Sequence, residues 1–257
     1  MQGSVAYNLG FATIVCVICA VIVSTAAVSL RDRQAANQLL EKQRNVLVAA
    51  GLASEDESLS SEEVAARFGP IRQVVVDLRT GEEVSDVDPT AFDQRAEASS
   101  SETGRDAPEN NAGLMRLPLR ALVYELRDGD ELDLVVLPVE GLGLWSTLYG
   151  FLALDADLET IRGLTFYEHG ETPGLGGEVD NPRWKSLWPG RKAVVGTEPR
   201  IEVIRGRAGP PDEDPFRVDG ISGATMTGRG VTNLLRFWLG NDGFRPYLER
   251  MGVEGAS

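Results

Sequence analysis

The chain has 257 residues, and its 39 Asp and Glu against 25 Lys and Arg give a formal net charge of −14. So acidic a surface argues against nucleic acid as a partner, because a phosphate backbone is repelled rather than attracted. With two cysteines and one histidine, neither a disulfide framework nor a histidine-rich metal or haem site can be built.

Residues 1–30 contain no Asp, Glu, Lys or Arg. After a short tail over 1–8, the run 9–30 is almost wholly apolar, and about 20 such residues suffice to cross a bilayer as a helix. A cleaved signal peptide is the alternative. Ser24-Thr25-Ala26-Ala27 imitates its cleavage site, but its basic leading region is missing, so an uncleaved single-pass anchor is expected. Cys16 and Cys19 lie one turn apart within this run and read as small packing residues rather than half of a metal site. Arg31, Arg33, Lys42 and Arg44 follow the span. The positive-inside rule alone would keep the rest of the chain in the cytoplasm. Asp32 and Glu41 dilute that flank, however, and long domains cross despite such charges.

Residues 31–53 continue as a helical stalk, with Leu39, Leu40, Leu47 and Ala50 in a stripe. A folded domain is expected over 54–257. Ser60-Ser61-Glu62-Glu63 reads as a capping box for a short helix that ends at Gly69-Pro70. Val74 to Leu78 reads as a strand with a turn at Thr80-Gly81, and Asp93 to Asn111 as a solvated loop inserted between elements. Ala121–Leu126 and Leu132–Val139 flank Asp128-Gly129-Asp130 as a hairpin, and Leu148–Leu154 and Ile161–Tyr167 repeat the strand pattern. No Gly-x-Gly-x-x-Gly follows a strand, which leaves a Rossmann fold unsupported. The prediction is an α+β chain: one N-terminal transmembrane helix, then an antiparallel-sheet domain with flanking helices.

Three stretches carry candidate chemistry. Glu140 to Gly150 is Gly-rich and holds Trp145 and Ser146; it can bring backbone close to a flat ligand with Trp145 as a wall, or it is a hairpin corner with a core Trp. His169 to Glu178 is dense in Gly, Pro and Thr, so its free N–H groups can meet the polar edge of a flat ring, and Trp184 and Trp188 follow closely. His169 reads as a surface or capping histidine. Although it could pair with Ser222 for hydrolysis, no nucleophile elbow surrounds that serine. Finally, Asp219-Gly220-Ile221-Ser222-Gly223-Ala224-Thr225-Met226-Thr227 leads into an amphipathic helix marked by Val231, Leu234, Leu235, Trp238 and Leu239, with Gly240 as its stop. A helix start supplied with hydroxyls suits a phosphate, or else Ser and Thr there are plain N-caps.

Asp-Gly-x-Ser-Gly-Ala-Thr resembles the acceptor motif of proteins that carry FMN on a threonine through a phosphodiester, and Glu-Thr-Pro-Gly-Leu-Gly resembles a second motif of the same FMN-binding family. With the Ser-Thr-Ala-Ala-Val-Ser-Leu-Arg-Asp that closes the anchor, the chain resembles the C-subunit family of the sodium-translocating NADH:quinone oxidoreductase. It is also similar to the G subunit of the related Rnf complex. The resemblance implies FMN on Thr225, with Asp219 serving recognition by a metal-dependent flavin transferase. It further implies a cofactor surround of Ser222, Gly223, Ala224, Thr227, Thr172, Leu175, Glu171, Gly174, Trp145 and Ser146. No metal ligand and no acid–base constellation is expected, so the chain reads as an electron carrier among flavin- and iron–sulfur-bearing membrane proteins of one complex. NADH would be the donor, ubiquinone the final acceptor and sodium the transported ion. The soluble domain would lie on the periplasmic side of the inner membrane. A membrane-anchored sensor or scaffold that binds FMN is the alternative from another class.

Overall fold

The computed structural model describes residues 5–254, and the chain divides into two compact units, Met1–Lys42 and Gln43–Ser257. Residues 1–4 of the expected tail lie outside those described, and Val5 to Asn8 is already helical. Helix α1 (Val5–Ala49) runs without a break. Within it Tyr7–Arg31 has a mean hydropathy of 2.6 and no buried residue, which is long and apolar enough to cross a membrane.

The second unit takes the C-terminal turns of α1, whose Val46, Leu47 and Ala49 are buried. The Arg44 guanidinium donates to the Glu55 carbonyl at 2.7 Å and holds the chain as it leaves the helix. Helix α2 (Ser61–Phe68) opens on the expected capping box: the Glu63 N–H reaches Ser60 Oγ, and Glu63 Oε2 takes the Ser60 N–H at 2.8 Å. Strand β1 (Arg72–Asp77) ends in a turn at Gly81, whose φ of +71° suits glycine.

The expected solvated loop over 93–111 proves to be structured. Asp93 caps helix α3 (Gln94–Ser99) by accepting the Arg95 and Ala96 N–H groups, and strands β2 (Gly104–Asp106) and β3 (Arg116–Pro118) pair antiparallel. Arg116 anchors the segment by donating to the Ala98 and Ser100 carbonyls at 2.8 Å each. A polar composition hid this element because its order comes from caps and arginine-to-carbonyl bonds, not from an apolar stripe.

Strands β4 (Arg120–Asp128), β5 (Glu131–Leu142), β6 (Thr147–Asp155) and β7 (Ile161–Glu168) complete an antiparallel sheet of order β1-β4-β5-β6-β7. Asp128 pairs with Glu131 across Gly129-Asp130, as the hairpin signal predicts. The strands read as apolar runs rather than alternating ones because both faces are covered. One face carries Val74, Val123, Val135, Leu137 and Leu152 in the main core. The other carries Phe68, Tyr124, Phe151 and Tyr167 in a row of ring contacts, with centroids 5.0–6.0 Å apart.

After a 3-10 turn (Gly176–Asp180) and helix α4 (Pro182–Lys185) come the short pairs β8 (Val194–Val195) with β9 (Glu198–Pro199) and, in parallel, β10 (Glu202–Val203) with β11 (Arg217–Val218). Helix α5 (Thr225–Trp238) buries Val231, Leu234, Leu235 and Trp238 on the main core, and α6 (Arg245–Glu254) follows. Two glycines let α5 cross the end of β5 closely. A Cβ on Gly141 would meet Leu234 at 2.5 Å, and one on Gly230 would meet the Leu142 carbonyl at 2.4 Å. With Trp238 Nε1 donating to the Glu140 carbonyl at 2.7 Å, this crossing brings the start of α5 beside the β5–β6 turn.

Candidate functional site

One carboxylate ties three loops together. Glu171 is buried, and its Oε1 accepts the N–H groups of Leu144, Trp145 and Ser146 at 3.0, 2.8 and 3.2 Å. Its Oε2 accepts the hydroxyl of Thr227 at 2.7 Å. Burial pushes the Glu171 pKa up, but the Trp145 amide, the Thr227 hydroxyl and the Ser146 and Leu144 amides outweigh it and hold the group below the usual carboxylate value. Glycines make room for this knot: a Cβ on Gly143 would lie 2.6 Å from Oε1, and one on Gly176 would lie 2.4 Å from Oε2. The Gly170 N–H adds a bond to Ser146 Oγ at 2.6 Å. His169 braces the same loop, with Nε2 2.7 Å from Asp180 Oδ2 and Nδ1 accepting the Glu171 N–H at 3.2 Å, so these contacts assign the proton to Nε2.

The helix start above this knot has no side-chain cap. The N-cap is Ala224, and none of Ser222, Thr225 or Thr227 acts as one, so the plain N-cap reading fails. The first amides of α5 therefore stay available, at the positive end of the helix dipole. Thr225 opens the helix with an exposed side chain that has no hydrogen-bond partner among the described residues. Gly223 turns the chain at φ +74°, and a Cβ there would meet Leu175 at 2.9 Å, so the two motifs touch. From behind, Trp184 Nε1 donates to the Asp219 carbonyl at 2.9 Å, and the Asp219 carboxylate takes the Ala208 N–H at 2.9 Å.

The structure thus gathers the predicted residues but divides them by exposure. Thr172, Gly174, Leu175, Trp145, Ser222, Gly223 and Thr225 are exposed, and Ser146 is half-buried. Trp145 is 72% exposed, which overturns the core-Trp alternative. Glu171, Ala224 and Thr227 are buried and face inward, as are Trp184 and Trp188. Leu142, Leu144 and Met226 add exposed apolar surface to these same segments, which sequence reading missed. It also missed the cavity of about 700 Å³ beside Thr225, lined by Arg205, Arg207, Arg229 and Arg236. Arg205 and Arg207 come from a loop before the 219–225 turn, and nothing in the pattern links the two.

Residues 143–240, from the Glu171-bound turn through α5, match the model of the FMN-binding domain family. Over 97% of each chain, this one is 44% identical to the C subunit of the Na(+)-translocating NADH-quinone reductase of Pseudomonas aeruginosa, and it is 41% identical to that of Yersinia pestis over 98% of this chain and 95% of the relative. The crystal structure of Shewanella oneidensis NqrC superposes with a TM-score of 0.76 at 35% identity, covering 83% of this chain and 97% of that one. The chain belongs to the C-subunit family of the Na(+)-translocating NADH-quinone reductase.

Membership in that family makes FMN the cofactor to test against the geometry, and the residues fit it. The uncapped helix start and nearby arginines suit its phosphate, the exposed Thr172 and Gly174 of the 172–177 loop suit the polar ring edge, and Trp145, Leu144 and Leu175 suit the ring face. The names of the relatives, matched over nearly the whole chain, set the Rnf alternative aside.

Proposed function

We propose that the chain is the electron-carrying C subunit of a sodium-pumping NADH:ubiquinone reductase, with FMN joined to Thr225 through a phosphodiester. The observation that carries this reading is the uncapped start of α5, with an exposed, unpartnered Thr225 hydroxyl between the Glu171-tied loops and the arginine-lined cavity. When bound, FMN supplies the capacity to accept and pass on single electrons.

The protein's part is placement. The first amides of α5 would hold the phosphate, where a negative charge would gain about 0.3–1 kcal/mol from the helix dipole. That is too little to retain a dissociable cofactor, and a covalent tether replaces affinity with a permanent local concentration. Ser222, Gly223 and Ala224 shape the turn, and Gly223 leaves room for Leu175. Thr172, Gly174 and Leu175 would hold the ring edge, and Trp145 with Ser146 would cover it. Glu171 and Thr227 contribute from below by fixing those loops in place. Asp219 serves recognition by the flavin transferase that makes the bond.

The apolar span of α1 serves as a single-pass anchor in the inner membrane, with residues 54–257 on the periplasmic side. There the chain relays electrons between an iron–sulfur centre and a second flavin, both held by partner proteins of the complex. Fused after Ser257, a reporter enzyme that works only outside the cytoplasm is expected to be active; an inactive fusion would reverse the topology. For the attachment itself, chain coexpressed with the flavin transferase is expected to give a band on a denaturing gel that fluoresces under ultraviolet light. Thr225→Val should remove the band and Thr227→Val should keep it. A band surviving in Thr225→Val would move the acceptor elsewhere.

A further inference from the structure

The cavity beside Thr225 has a volume of about 700 Å³, within the range of small-molecule sites. No residue of the 143–146 or 171–177 loops lines it. Arg205, Arg207 and Arg229 do, and among the described residues none of the three makes an ion pair or a side-chain hydrogen bond. Three uncompensated guanidinium groups in one cavity are out of keeping with a chain of net charge −14, which has acid to spare. Two carboxylates share the cavity wall, Glu202 paired with the fourth arginine, Arg236, at 3.1 Å and Asp219 accepting the Ala208 N–H, so the wall holds four guanidinium groups against two acids.

The segment that carries Arg205 and Arg207 is held firmly against the acceptor turn. The Ile204 N–H donates to the Val218 carbonyl at 3.0 Å, and the Gly220 N–H donates to the Gly206 carbonyl at 2.8 Å. Gly206 itself bends the loop at φ +87°. On its other flank the Val203 N–H bonds Thr232 Oγ1 at 2.9 Å, which fixes the segment to α5. Arg229 follows Thr225 by four positions on α5, so both leave the same helix face.

We propose that Arg205, Arg207 and Arg229 make this cavity a phosphate subsite for a nucleotide. Guanidinium forks take phosphate oxygens two at a time, and a backbone already fixed spares the cost of ordering the loop. Two sources share this chemistry. One is the phosphodiester proposed at Thr225, and to that extent the inference rests on the reading above; the other is the phosphate of a free nucleotide.

The test uses the full chain in detergent, purified from cells that lack the flavin transferase and titrated calorimetrically with pyrophosphate. Saturable binding is expected, weakening as salt is raised. Arg207→Gln/Arg229→Gln should bind about tenfold more weakly or worse, with Arg229→Lys in between. These side chains are exposed, so the variants should keep the wild-type melting temperature, which is measured alongside. In the flavin-bearing chain, lost pyrophosphate binding assigns the subsite to the tethered phosphate, and retained binding assigns it to a free nucleotide. The binding is read on the unmodified chain, so failure of the attachment reading would leave this result standing. No saturable binding by the unmodified chain, or equal binding by the double variant, overturns the subsite.

Discussion

At the scale of single residues, the site depends on a carboxylate that faces away from the proposed cofactor. Glu171 is drawn by sequence resemblance into the group around the flavin, but its buried side chain satisfies three amides and the Thr227 hydroxyl. Its pKa lies below the usual carboxylate value, so its contribution to stability is complete above about pH 4.5 and is lost as pH falls through the lowered native value. Glu171→Gln should cost about 1–3 kcal/mol at pH 7, the loss expected when a buried charged acceptor is weakened. Its stability should also fall less steeply than the wild type's as pH drops below about 4.5. Denaturant titrations at several pH values check this, and parallel curves for the two proteins would remove Glu171 from that role. Thr227 was legible as a hydroxyl near a helix start, but its burial was not, because the sequence does not reveal which carboxylate comes to meet it.

The elements position the site through close approaches at glycine. Gly220 lies against the Ile204 carbonyl, where a Cβ would come within 2.2 Å, and both groups are backbone. Gly220→Ala should therefore force β11 and the acceptor turn away from the Arg205 loop, costing about 1–3 kcal/mol as overpacking does, and slow flavin attachment to Thr225. Thermal melts and the rate of growth of the fluorescent band measure both effects, and wild-type values for both would contradict the packing described. The sheet, the capping box at Ser60 and the helix after Thr225 were all legible, since each repeats a strong local pattern. Helix α3 was not, because its residues bear no apolar stripe and its bonds run to Arg116. The parallel pair of β10 and β11 was equally hidden: two residues to a strand are too few for any period to register.

For the whole molecule, the distribution of charge and apolar surface matches the proposed role. The apolar span of α1 comes first, the chain has a net charge of −14, and Arg205, Arg207 and Arg229 gather beside Thr225. Composition revealed the apolar span and the acidity at once. The arginine cavity emerged only from the fold, because Arg205, Arg207 and Arg229 are brought together by β10, β11 and α5. The proposed electron relay depends on Thr225 as the point of attachment. The most direct measurement is the intact mass of the full chain expressed together with the flavin transferase. The account predicts a mass raised by one FMN less one water, and no such increase in Thr225→Val. An unmodified wild-type mass, or the same adduct on Thr225→Val, would contradict it.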